Sequence, residues 1–222
     1  PLAVQASLYQ ALADFLAQKK LEAASLDTYR TFIKAWPRET QAADFQLVLI
    51  ARLLSTAQAE QALAEQRFFI DHFGPASEYW QNGRPAQRAL VSAPLLEYLN
   101  YFARQQYSDG LKSQAPMRSQ AFAKAVPDFQ AMLTVLADPA TTAEGYASLD
   151  IQYLLAEALA ESGQRDAALA AYEPLGYPTD NKTSSLFKPQ DAAYRALLLQ
   201  AKVPSEPGAT VQQTALWQAQ SR

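Results

Sequence analysis

Apolar side chains recur every three or four positions through most of the chain, the spacing of one helix face, and prolines and glycines cut that pattern into segments. Leu8, Leu12, Phe15 and Leu16 mark a first helix over residues 2–18. A second runs over 21–35 and stops at Trp36-Pro37, because the residue before a proline resists the helical conformation. Thr40 is the expected N-cap of a third, which carries Phe45, Leu49, Leu53 and Leu54. A fourth, over 57–73, ends at Gly74-Pro75.

The period breaks over about 77–90, where Asn82-Gly83 and Pro85 suggest a loop or a short irregular helix. Leu95, Leu96, Leu99 and Phe102 restore it, with Pro94 expected in the first turn. A polar insertion over about 108–120 leads to a long helix over 120–136. Asp138-Pro139 predicts a further helix start, continuing towards Ser162 until Gly163 ends it, and residues 164–173 form its partner. One more helix follows Pro189, and residues 203–222 read as a degenerate cap with Leu216 and Trp217. No strand alternation competes, since the apolar run at residues 47–50 sits inside a helical period.

Composition strengthens this picture. The 222 residues include 43 Ala and 23 Gln against 7 Gly, a balance that favours helix. A chain of this length hides roughly 70% of its unfolded surface, enough for one domain with a sizeable core. The net charge of −3 lacks the basic excess that nucleic-acid binding requires. With no cysteine and one histidine, disulfides, thiol chemistry and Cys- or His-rich zinc sites are excluded. No apolar run approaches a membrane span, and residues 1–10 have neither the basic start nor the cleavage-type ending of a signal peptide.

The helix pairs repeat. In residues 152–175, Leu155-Ala156, Leu159, Gly163, Ala168, Tyr172 and Leu175 place a large–small pair on one helix against a small residue and an aromatic on the next. Residues 9–37 fit the same frame through Tyr9, Leu12-Ala13, Leu16, Ser25, Tyr29 and Phe32. Residues 47–75 fit through Ile50-Ala51, Leu54, Phe69 and Ile70, and weaker matches follow at Ala125, Phe129 and Met132 and at Tyr194, Leu197 and Leu198. Pro37 and Pro75 close two of these windows 38 positions apart, slightly more than the ~34-residue tetratricopeptide period.

This pattern resembles the tetratricopeptide-repeat (TPR) superfamily. The ending Tyr-x-x-Phe-x-x-x-Trp-Pro at residues 29–37 is similar to the periplasmic BamD-like subgroup, although the lipidated N-terminal cysteine of those proteins is missing. The resemblance implies an all-α fold, with antiparallel helix pairs stacked as a right-handed α-solenoid in a single domain over 1–222. It also implies a protein or peptide partner in the groove lined by the first helices. Carried over position by position, the groove residues are Gln10 and Asp14 in the first window and Tyr153 and Glu157 in the later one, with Arg52 and Arg195 from weaker frames. Such a mixture suits a polypeptide ligand, because carboxylates can meet Lys or Arg and arginines can clamp carboxylates.

Candidate chemistry is sparse. His72, beside Asp71 and near Arg67, could act as a base only with a partner brought by the fold; it otherwise reads as a favourable cation at a helix C-terminus. Glu157 and Glu161 share a helix face, but further metal ligands are missing nearby, and Glu161 with Arg165 reads as a surface i,i+4 pair. Tyr79 and Trp80 are candidates for an exposed aromatic pair or for local packing. Asn181-Lys182-Thr183 is a formal glycosylation triplet. No GxSxG, Walker, GxGxxG or HExxH motif is present, and no cofactor or metal is expected.

The resulting expectation is a non-enzymatic TPR-like scaffold in a bacterial envelope, with the cytoplasm left open, no direct membrane insertion, and room for a larger assembly. The alternative is the helical accessory domain of a larger cell-wall or exopolysaccharide enzyme or export machine.

Overall fold

The computed structural model describes residues 2–141, 145–177, 184 and 186–201. Among these the chain is all-helical: α1 Leu2–Gln18, α2 Glu22–Ala35, α3 Thr40–Ser55, α4 Ala59–Phe73, α5 Glu78–Gln81, α6 Pro85–Lys112, α7 Met117–Ala137, α8 Ser148–Glu161, α9 Arg165–Gly176 and α10 Pro189–Gln200. The glycosylation triplet at 181–183 and the cap residues Leu216 and Trp217 lie outside the described residues. No helix among the described residues is long and apolar enough to cross a membrane. The chain divides into two compact units, residues 1–98 with 138–142, and residues 99–137 with 143–222, the division falling inside α6.

In the first unit α1, α2, α3 and α4 pack in sequence. Their core is aromatic: Phe32 meets Tyr9, Trp36 and Phe45 with ring centroids 4.8–5.5 Å apart, mostly edge to face. The second helices α2 and α4 are tied by Arg30, whose Nε donates to Glu65 at 2.9 Å, and Gln46 of α3 donates to the same carboxylate at 2.7 Å. The buried face of α1 differs from the expected one. Ala6 and Ala13 are buried, while Leu8, Leu12 and Phe15 are exposed, because the small residues are what let α2 approach closely.

The irregular segment after α4 is ordered by a cap. Ser77 Oγ accepts from the Trp80 amide at 3.2 Å and starts the single turn of α5. That turn buries both Tyr79 and Trp80, with Tyr79 edge-on to Phe73 at 5.0 Å, so the candidate exposed pair is core. Thr40 does not cap α3: Glu39 occupies the N-cap position, without a side-chain hydrogen bond.

Proline placement also departs from the sequence pattern. Pro85, not Pro94, opens α6, and Pro94 lies inside it. Val91, Leu95, Leu96 and Leu99 are buried around that proline. Each buried side chain of this size contributes roughly 1.5–3 kcal/mol, together more than the ~3 kcal/mol that an interior proline costs. The helix expected to begin at Asp138 starts instead at Ser148. The Asp138 carboxylate is taken by Arg88 Nε at 2.5 Å and by the Ala140 amide at 2.8 Å, which closes a local turn.

In the second unit the C-terminal half of α6 and α7, α8, α9 and α10 pack in order. The polar insertion at 108–120 is mostly helix, since α6 runs to Lys112 and α7 starts at Met117. Gly110, inside that segment, is a packing residue: a Cβ there would lie 2.7 Å from the buried Phe122 ring. Gly176 does the same for α9 and α10, where a Cβ would lie 2.8 Å from the Ala193 backbone.

Three helical hairpins share one local geometry. Ala13 of α1 sits against Ser25 of α2, whose Oγ donates to the Ala13 carbonyl at 2.7 Å across a separation of 12 residues. At the same separation stand Ile50 and Ala62, and Ala156 and Ala168, all buried. Each turn places one residue in the left-handed region, Lys20 (φ 61°), Ala57 (φ 57°) and Gly163 (φ 85°). The next residue's amide reaches back over the helix end in all three, Leu21 to Leu16, Gln58 to Leu53 and Gln164 to Leu159, each at 2.9 Å. The α3–α4 frame is therefore one residue earlier than the sequence pattern suggested. Leu53 is buried, while Ala51 and Leu54 are exposed. Aligning windows on Pro37 and Pro75 causes the slip, since α4 is one residue longer than α2 and carries Pro75 one position later in the frame.

Candidate functional site

Five of the six groove positions fall into two polar clusters, each built on an acid and an arginine 38 residues apart. In the first unit Arg52 of α3 bonds Asp14 of α1, Nη2 to Oδ1 at 2.7 Å, across 38 residues. Its Nη1 donates to Ser25 Oγ at 2.8 Å, and its guanidinium lies over the Tyr29 ring, 5.4 Å from the centroid. Tyr29 donates to the same Asp14 oxygen at 3.3 Å, and Glu22 stands 4.0 Å from Arg52. Burial raises the Tyr29 pKa above its ordinary 10.0, so the ring stays a neutral donor.

In the second unit Arg195 of α10 faces Glu157 of α8 at 3.7 Å, at the same sequence separation. Tyr172 of α9 stands at the position of Tyr29. Two further tyrosines close this cluster. Tyr107 of α6 donates to Glu157 Oε2 through a short hydrogen bond. Tyr153 stacks on Phe187 at 4.4 Å with nearly parallel rings. Its hydroxyl is buried without a close hydrogen-bond partner, although Glu157 and Arg195 lie near enough to bias it. Burial pushes the Glu157 carboxyl above the usual carboxylate range, against the opposing pull of Tyr107's hydrogen bond and of the Arg195 charge. Burial likewise raises Tyr107, Tyr153 and Tyr172, all three further by the neighbouring Glu157 charge.

Each cluster joins two helices across the one between them, α1 to α3 and α8 to α10, through an acid and an arginine. The carboxylates are already neutralised inside the protein, which suits them to fixing helix orientation. Tyr153 offers no exposed aromatic face, being buried against Phe187 and, edge to face at 5.9 Å, against Tyr172. Gln10, at the position equivalent to Tyr153, stands apart and is exposed on α1.

The remaining candidates are dispersed. His72 is exposed at the end of α4, stacked on Phe68 at 3.7 Å with Nδ1 3.0 Å from the Phe68 carbonyl. Glu161 pairs with Arg118 of α7 at 2.7 Å rather than with Arg165, because α7 brings a nearly buried guanidinium to it. Among the described residues no group of three His, Asp or Glu side chains is placed to hold a metal ion.

Tyr107 was invisible to sequence reasoning, because it arrives from α6 with no local motif. Ser25 and Tyr29 read as packing residues, yet their hydroxyls complete the first cluster; their shared reach to Asp14 and Ala13 was legible only once the repeat frame was set. No family model, curated protein or solved structure matches the chain.

Proposed function

We propose that the chain is a TPR-like scaffold of helix pairs that holds a protein or peptide partner and performs no catalysis. The observation that carries this reading is the recurrence of one hairpin frame at α1–α2, α3–α4 and α8–α9. The same spacing between buried positions on the two helices, the same left-handed turn position and the same backbone hydrogen bond over the helix end appear in all three. Repetition of a single supersecondary unit is the hallmark of repeat proteins, whose first helices present a continuous binding face. In this reading the Asp14–Arg52 and Glu157–Arg195 pairs set the angle between neighbouring first helices, and the exposed Gln10 meets the partner. The envelope placement rests on the resemblance of the Tyr-x-x-Phe-x-x-x-Trp-Pro ending to periplasmic members of that superfamily.

A photo-crosslinking residue at Gln10, compared with one at Thr31 on the exposed side of α2, tests the reading in an envelope extract of the source organism. A single protein crosslinked from position 10 and not from position 31 is the expected result. Equal labelling from both sites, or capture of polysaccharide from position 10, would overturn it.

A further inference from the structure

The residues leading into α10 are strapped across α8 by two contacts. Ser184 Oγ donates to the Asp150 carboxylate through a short hydrogen bond. The same oxygen accepts from the Leu186 amide at 2.9 Å and from the Phe187 amide at 3.2 Å, a turn that brings Phe187 to α8. There the Phe187 ring lies on Tyr153, with centroids 4.4 Å apart and planes 8° from parallel, and both rings are buried. The chain is fixed again at the next residue, where the Lys188 amide donates to Asp191 at 3.0 Å and opens α10.

Asp150, Tyr153 and Glu157 share one face of α8 at helical spacing. In the hairpin frame common to α1 and α8 they correspond to Ser7, Gln10 and Asp14, of which Ser7 and Gln10 are exposed. The face that α1 leaves to solvent is therefore covered on α8 by the chain's own non-helical segment. That cover is imperfect. The Tyr153 hydroxyl is buried without a hydrogen bond, an arrangement that penalises the closed state. Leu186, between the two anchors, is 47% exposed and contributes little burial.

We propose that this face of α8 is a docking site for a non-helical peptide segment of a partner protein, presenting a hydroxyl and, three residues later, an aromatic ring. Ser184 and Phe187 hold the place in the partner's absence, an autoinhibitory contact within the chain. Asp150 receives the hydroxyl and Tyr153 the ring. A segment that also brings a hydrogen-bonding group to the Tyr153 hydroxyl gains what the chain's own segment lacks. The existence of a partner rests on the scaffold reading above; the chemistry of the site rests on the segment seated there. Because the strap must open first, it lowers the partner's apparent affinity by the fraction of chains that are open.

A fluorescein-labelled peptide with the sequence of residues 183–189, Thr-Ser-Ser-Leu-Phe-Lys-Pro, is the probe, titrated with the full chain and read by anisotropy. Ser184→Ala with Phe187→Ala clears the face, and this variant is expected to bind the peptide about tenfold tighter than wild type, since the competing segment is gone. Replacing the peptide's phenylalanine by alanine should abolish that binding. Hydrogen exchange of the wild type gives a readout that does not depend on the variant folding: the Leu186 and Phe187 amides are expected to exchange while α8 and α9 stay protected. Three results would overturn the proposal: equal peptide binding by wild type and variant, binding that survives loss of the phenylalanine, or exchange of the two amides only together with α8 and α9. All three concern α8 alone, whereas failure of the scaffold reading shows in the crosslinking from Gln10, so the two are told apart.

Discussion

The α1–α3 and α8–α10 regions use one design at two depths. Each joins two helices across the one between them through a carboxylate and an arginine at the same sequence separation. Around Asp14 the side chain is 45% exposed, and water shares the work with Arg52, Tyr29 and Ser25. Around Glu157 exposure falls to 17%, and two further tyrosines replace that water. The comparison teaches that the same residue pair is a modest surface tie in one setting and a buried network in the other. What differs is the neighbour: α7 and the end of α6 pack beside α8, whereas the large apolar side chains of α1 on the corresponding face stay exposed.

Arginine removal sharpens that contrast most. Arg195→Ala leaves Glu157 with a half-satisfied buried carboxylate and is expected to destabilise the second unit by about 3 kcal/mol. Arg52→Ala should cost about 1 kcal/mol or less, because Asp14 keeps water and Tyr29. Urea unfolding of both variants checks the ranking. High salt should shrink the Arg52→Ala effect and leave that of Arg195→Ala nearly unchanged; equal costs would erase the distinction between the clusters.

Tyrosine hydroxyls rank next. Tyr107→Phe removes a charge-assisted bond to a buried acid and should cost about 2 kcal/mol. Tyr29→Phe removes a 3.3 Å bond to a solvated acid, and its cost should stay below roughly 1 kcal/mol. Thermal unfolding of the two variants side by side gives the measurement.

The shared turns supply a smaller effect of opposite sign. A Cβ on Gly163 meets nothing within 4 Å, so Gly163→Ala costs only left-handed backbone strain, about 1 kcal/mol. Ala57→Gly relieves the same strain and is expected to stabilise by about 0.5 kcal/mol, after the unfolded chain's added freedom is subtracted. Opposite shifts in unfolding midpoint are the expected outcome.

Acidity separates the clusters least in energy and most clearly in direction. The folded chain holds the Glu157 proton more tightly than the unfolded chain does, because burial disfavours the charge. Its contribution is therefore fully present below the ordinary carboxylate value of 4.5 and is lost as pH rises through the raised folded value. Glu157→Gln removes that loss, so wild type should fall behind the variant as pH climbs from about 4 towards neutrality. Parallel pH profiles for the two proteins would contradict the burial of this charge.

Helix extents were largely legible. The boundaries of α1, α2, α4 and α9 follow periodicity and the Trp36-Pro37, Gly74-Pro75 and Gly163 stops, which act within a few residues. The pairing of Asp14 with Arg52 and of Glu157 with Arg195 lay implicit in a repeat frame that set all four on first helices. Elsewhere local signals yielded to packing. Pro94 entered a helix interior because the apolar residues around it were worth more buried. Asp138 left its cap role because Arg88 claimed it, and Tyr79 and Trp80 turned inward on the Ser77 cap.

The chain by itself determined that it would be helical, where most helices would stop, and that its helices would come in repeating pairs. Those properties follow from side-chain spacing, proline and glycine, whose effects reach only a turn or two along the backbone. Tertiary structure decided which face of each helix went inside, which carboxylate lost its water, and which tyrosine came from afar to meet it. Burial is set by whichever neighbour arrives, and so two equivalent helices, α1 and α8, bear matching frames but opposite fates for the same apolar stripe.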